Sequence, residues 1–122
     1  MSAFFELRIY QIFPGKMDEW LSFMEKTIMP FQVEQGMVIH GSFVMDSSDQ
    51  FALENGERVM NSEKKGNNYV WIRRFENQEE KVKLYKAVYE SKEWVDNIAP
   101  TVANLVDRNS ILIHNLSSTA LS

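Results

Sequence analysis

Tyr69-Val70-Trp71-Ile72-Arg73-Arg74-Phe75 is rich in aromatic and β-branched residues and alternates in character, the pattern of a β-strand. One side of such a strand carries Val70, Ile72 and Arg74; the other carries Tyr69, Trp71, Arg73 and Phe75. A solvent-facing side rarely holds so many rings, and an apolar core rarely holds an arginine. The strand is therefore expected to have two buried sides, one apolar and one amphipathic. The amphipathic side is the place to look for function.

The same two-sided pattern recurs at Phe4 to Phe13, where Phe5, Leu7 and Ile9 oppose Phe4, Glu6, Arg8 and Tyr10. Pro14-Gly15 breaks that strand. Met17, Trp20, Leu21, Met24 and Ile28 fall at helical spacing, which predicts a helix over Lys16 to Ile28. Pro30 should end or kink it, distorting Thr27 to Met29 first, with a further turn over Phe31 to Gln35 and a stop at Gly36. Met37 to Met45 reads as a strand, with Ile39, Gly41 and Phe43 on one side and Val38, His40, Ser42 and Val44 on the other. Asp46-Ser47-Ser48-Asp49 is turn chemistry. Residues 46–68 form a long connection in which Asn55-Gly56 signals a projecting hairpin, and Lys64 to Asn68 reads as a polar, solvated loop. Asn77 with Glu80 three residues later is a capping box for a second helix carrying Val82, Leu84, Tyr85, Val88 and Tyr89. Ser91 is a second cap, Pro100 opens a short helical segment, Asp107-Arg108-Asn109 is a turn, Ser110 to Leu116 is the last strand, and Ser117 to Ser122 is a frayed end.

Strand, helix, strand, strand, helix, strand is the split βαβ order of ferredoxin-like α+β folds, with a four-stranded antiparallel sheet whose helices cover one face. The expectation is that the apolar sides (Phe5, Leu7, Ile9; Val70, Ile72; Ile39, Phe43) pack under the helices. The other face, with Glu6, Arg8, Tyr10, His40, Trp71 and Arg73, is too aromatic to stay bare, so a second subunit is expected to cover it.

The 122 residues suit one domain, and 44% hydrophobic residues suit a globular core. A net charge of −4 argues against a nucleic-acid partner. The absence of cysteine rules out a disulfide framework, a thiolate metal site and a cysteine nucleophile. No apolar run is long enough to span a bilayer, and no basic region precedes an apolar one near residue 1, so a cytoplasmic location is expected.

Glu6-Leu7-Arg8-Ile9-Tyr10 followed by Pro14-Gly15-Lys16 resembles the opening of the NIPSNAP family, of the dimeric α/β-barrel superfamily. So do Ile28-Met29-Pro30-Phe31-Gln32, Gly36-Met37-Val38 and Gly41-Ser42-Phe43. The likeness continues through the Tyr69 to Phe75 strand, Leu84-Tyr85-Lys86-Ala87-Val88-Tyr89 with Glu93-Trp94, and Ile98-Ala99-Pro100 before Asp107-Arg108. Residues 46–68 depart from it, being longer than the family's usual connection. The resemblance implies a homodimer in which two four-stranded sheets enclose a barrel. It implies no settled reaction, since the wider superfamily includes cofactor-independent monooxygenases, haem-degrading enzymes, isomerases and polyketide cyclases.

In that barrel the mixed sides would line the interior. Glu6 and Arg8 share a face, and so do Trp71 and Arg73 on the neighbouring strand. Two readings stand side by side. Glu6 between Arg8 and Arg73 is a structural ion pair. Alternatively, Arg8 or Arg73 holds a carboxylate, phenolate or enolate while Tyr10, Tyr69 and Trp71 flank a flat ligand. His40, beside Ser42, is either a general base or a hydrogen-bonded sheet histidine. His114 is either a haem ligand or base, or an incidental lone histidine near the chain end. Two histidines without metal-ligand spacing argue against a metal site, and no phosphate loop, nucleophile elbow or dinucleotide fingerprint occurs, so no cofactor is expected. Three functions follow: an oxygenase- or isomerase-type enzyme acting on a flat aromatic or polyketide-like molecule; a non-catalytic small-ligand-binding or interaction module; and haem binding or degradation.

Overall fold

The computed structural model describes residues 3–45, 51–60 and 67–119. The expected turn at 46–49 and residues 64–66 of the polar loop lie outside them. Strand β1 (Phe4–Ile12) leads into α1 (Met17–Phe23), a π-helical segment (Met24–Ile28) and α2 (Met29–Glu34). Strands β2 (Val38–Val44), β3 (Phe51–Glu54), β4 (Glu57–Met60) and β5 (Asn68–Phe75) follow. Then come α3 (Gln78–Tyr89), a second π-helical segment (Trp94–Ile98), α4 (Ala99–Leu105) and β6 (Val106–Ser117). The main sheet has the order β2-β5-β1-β6, and every neighbouring pair is antiparallel. This is the ferredoxin-like α+β arrangement, with β5 and β1 as its centre. β3 and β4 pair separately, with Asn55 (φ 52°) and Gly56 (φ 81°) at their turn, the positive dihedrals that a two-residue hairpin loop demands.

Both long helices solve the same problem. Proline lacks an N–H and its ring crowds the carbonyl four residues back. Immediately before Pro30 the Met29 N–H reaches back five residues to the Met24 carbonyl, and before Pro100 the Ala99 N–H reaches the Trp94 carbonyl. Widening the preceding turn in this way lets each helix continue past its proline. The sequence predicts distortion at Thr27 to Met29, and the widened turn ends there. At the next boundary, Asn77 caps α3 by accepting the Glu80 N–H at 2.7 Å. Asn77→Ala is expected to cost about 1 kcal/mol, seen as a lower urea midpoint at unchanged slope.

The assignment of the two sheet faces is reversed from the sequence expectation. Glu6, Tyr10, Ile12, Tyr69, Trp71, Arg73 and Phe75 are all buried, and the rings among them pack with Trp20, Met24 and Ile28 of the first helix and Leu84 and Val88 of α3. The mixed face is the one under the helices. Phe5, Leu7, Ile9, Val70 and Ile72, expected there, lie on the opposite, uncovered face at intermediate exposure. The physical reason is that the helices bring polar partners of their own: Gln32 from α2, and Lys81, Tyr85 and Tyr89 from α3. A charged sheet face can be buried when each charge is met.

Strand β2 changes parity partway along. Its register against β5 slips between Ile39, opposite Arg73, and Gly41, opposite Ile72. Ile39 and Ser42 therefore face the helices, while His40, Gly41 and Phe43 lie on the open side. A Cβ at Gly41 would come within 2.6 Å of the outer edge of the Phe43 ring, so a side chain there would have to displace that exposed ring. A second slip occurs in β6, between Leu112 opposite Ile9 and Asp107 opposite Gln11. The turn expected at Asp107 to Asn109 is thus an irregularity within one strand. Among the described residues, no helix is long and apolar enough to cross a membrane.

Candidate functional site

The centre of the helix-covered face is a charged network. Glu6 is fully buried, and its Oε1 accepts from Arg8 Nε at 2.8 Å and from Arg73 Nη2 at 2.7 Å. Its Oε2 accepts from Lys81 Nζ at 2.9 Å and from the Tyr85 hydroxyl. Burial alone would raise the Glu6 carboxyl, but the Arg8 and Arg73 guanidiniums outweigh it, helped by Tyr85 and Lys81, and hold it well below the usual carboxylate range. Three cationic side chains thus surround one carboxylate, and the cluster carries excess positive charge. Arg73 also donates from Nη1 to Gln32 Oε1 at 2.7 Å and to the Tyr89 hydroxyl at 2.8 Å, with its guanidinium 4.5 Å from the Trp71 ring.

Beside this network, between sheet and helices, lies a cavity of about 140 Å³. An apolar cavity of such a size admits one benzene-like ring. All three tryptophans of the chain, Trp20, Trp71 and Trp94, line it. Met24, Ile28, Val102 and Ile111 complete an apolar wall, and Arg8, Tyr10, Tyr89 and Arg108 supply its polar groups. The slip in β6 brings the exposed Arg108 to this cavity. Among the described residues, no carboxylate or imidazole side chain lines it.

Of the residues that the sequence singled out, Arg8, Tyr10 and Trp71 line the cavity, and Glu6 and Arg73 lie behind it in the ion network. Tyr69 is fully buried in the same core and pairs with Ser42, hydroxyl to hydroxyl, at 2.5 Å; burial pushes its phenol up to about 12. His40 stands apart. It is exposed on the other side of the sheet, its ring centroid 4.9 Å from that of Phe5. The bulge next to it breaks the expected alignment with Ser42. Sequence reasoning missed the helix-borne partners. The spacing of Lys81, Tyr85 and Tyr89, four apart on α3, is the one available signal, since it puts a polar stripe on a single helix face. Trp20 and Trp94 read as core anchors, and nothing in the sequence set Arg108 apart from a turn residue. Among the described residues, no group of three or more His, Asp or Glu side chains is placed to hold a metal.

No family model matches the chain, and no curated protein sequence does. Solved structures do share its fold. A NIPSNAP family protein from Agrobacterium tumefaciens is 19% identical at a TM-score of 0.74, over 99% of this chain and 90% of that one. An uncharacterized NIPSNAP-like domain protein from Burkholderia xenovorans is 17% identical at a TM-score of 0.76, over 99% of this chain and 89% of that one. A second Agrobacterium tumefaciens protein, described as a NIPSNAP family protein with unknown function, is 15% identical at 0.75, over 99% and 92%. At these identities the likeness is one of fold, over nearly the whole length of the chain.

Proposed function

We propose that this chain is a NIPSNAP-like protein whose ligand site is the cavity between sheet and helices, and that the ligand is a single-ring planar molecule bearing an oxyanion. The supporting observation is the chemistry of the lining: three indoles and an aliphatic wall for the ring, two guanidiniums, and, among the described residues, no acidic side chain to repel an anion. Excess positive charge in the neighbouring network adds to the field. Such a site suits an aromatic carboxylate, a phenolate or an enolate. Oxygenase- or isomerase-type chemistry passing through a phenolate or enolate would be stabilised there. The lack of a carboxylate or imidazole in the lining favours a second reading, binding without turnover, because no side chain of the cavity is suited to remove a proton near neutral pH. The volume suits one ring better than a tetrapyrrole. We further propose that two copies pack sheet to sheet through the open apolar face, closing a barrel on the side away from the cavity.

Tryptophan fluorescence reads the cavity directly. Titration with benzoate is expected to give saturable quenching, at least about tenfold tighter than benzamide, since a hydrogen bond to a charged group is worth about 1.5–3 kcal/mol. Val102→Trp, which fills the cavity, is expected to abolish it. Quenching that never saturates, or equal affinity for acid and amide, would overturn the site.

A further inference from the structure

We infer that Tyr10 and Tyr89 are obligate hydrogen-bond donors to the cavity's occupant, a pair of phenols that selects an oxyanion over its protonated form. The inference rests on the binding reading above and adds the groups that recognise the charge.

The Tyr10 hydroxyl lies 3.2 Å from Arg8 Nη1 and 3.0 Å from Trp71 Nε1. Guanidinium and indole nitrogens donate and never accept. Tyr10 oxygen must therefore accept twice, and both its lone pairs are committed. Its own proton goes to no described residue. Tyr89 is in the same position. It accepts from Arg73 Nη1 at 2.8 Å and from Gln32 Nε2 at 3.4 Å. The Gln32 amide cannot turn over, because its Oε1 is held by Arg73 at 2.7 Å. Tyr89 is thus also left with a proton that no described residue takes.

Tyr85 shows the contrast. It accepts from Arg8 Nη2 at 2.7 Å and gives its proton to Glu6, so it is internally satisfied, and it is not among the residues lining the cavity. Tyr10 and Tyr89 do line it. Arg8 adds to the donor surplus: its Nε, Nη1 and Nη2 make one bond each here, leaving one N–H on each terminal nitrogen unused. Among the described residues, the lining offers no side-chain carboxylate or amide oxygen to take any of these protons. A lining whose side chains offer donors and no carboxylate or amide acceptor fits a ligand that accepts. Polarisation by the cations behind them strengthens both phenols as donors.

The test uses 4-nitrophenol, whose visible absorbance distinguishes phenolate from phenol. Bound to the wild-type protein, it is expected to ionise at a pH at least about one unit below that of the free probe, a tenfold shift in ionisation ratio. Tyr10→Phe and Tyr89→Phe should each move the bound value back towards the free one and weaken phenolate binding about tenfold. Affinity for toluene, which fills the cavity without a hydrogen bond, should change little. A bound probe that ionises at or above the free value overturns the inference with no variant needed. So does a loss of toluene binding equal to the loss of phenolate binding, which would mark the two tyrosines as merely structural. If neither benzoate nor toluene saturates the wild-type protein, the binding reading itself fails and takes the inference with it.

Discussion

Glu6→Gln is expected to destabilise the protein by about 3–5 kcal/mol, the loss typical when one member of a buried ion network is removed and its partners stay behind. The substitution keeps size and shape, so packing cannot account for the effect. What it removes is the negative charge that Arg8, Arg73 and Lys81 converge on. Arg73 is only 1% exposed and cannot reach water without unpacking the sheet from the helices. The new amide would make matters worse. If its oxygen faces Arg8 and Arg73, its N–H groups face Lys81 Nζ, itself a donor, at the 2.9 Å position. Urea unfolding at neutral pH measures the effect, and a loss under about 1 kcal/mol would show that the network is not a major support.

The same residue gives a pH dependence of known sign. The folded Glu6 carboxyl ionises well below the unfolded one, which lies near 4.3. Its contribution is complete above that unfolded value and is lost as pH falls through it towards the folded one. The stability gap between wild type and Glu6→Gln should therefore be constant from neutral pH down to about 5, then narrow as the solution is acidified further. A gap that widens in acid would contradict the assignment of Glu6 as the buried, ionised partner.

Much of the fold is legible in residue order alone. Period-2 alternation marks β1 and β5, Pro14-Gly15 ends β1, Gly36 stops the first helix, and Asn77 with Glu80 sets the start of α3. The two sides of each strand are legible too. Which side the helices cover is not, because alternation carries no label for inside. Hydrophobicity alone favours Phe5, Leu7 and Ile9 for the core. The fold instead buries Glu6, Tyr10 and Arg73, and Gln32, Lys81, Tyr85 and Tyr89, on elements distant in sequence, help make that tolerable. Of the candidate site, Arg8, Tyr10 and Trp71 are readable as an amphipathic surface. His40 misleads because a single extra residue beside Gly41 moves it across the sheet, and a bulge leaves no periodic trace. Arg108 is hidden for the same reason, since a slip in β6 and not a motif brings it to the cavity.

Ile72→Glu is expected to hold the protein as a monomer where the wild type sediments as a dimer at tens of micromolar. Ile72 sits on β5, opposite Leu7 on one side and Gly41 on the other, in the middle of the open face. Around it Phe43 is 54% and Leu112 52% exposed, apolar surface that a lone subunit would leave to water. In a two-fold pairing of sheets a central position meets its own counterpart or a close neighbour, so one substitution places two carboxylates close together in a desolvated interface. Dimerisation driven by apolar burial cannot absorb that cost. The cavity lies on the other side of the sheet, under the helices, so benzoate quenching should survive in the monomer. A wild type already monomeric at that concentration would refute the proposed barrel. A variant that dimerises as well as the wild type would place the interface elsewhere. Loss of benzoate binding together with the dimer would mean that the two faces of the sheet, chemically separate in this fold, are functionally one.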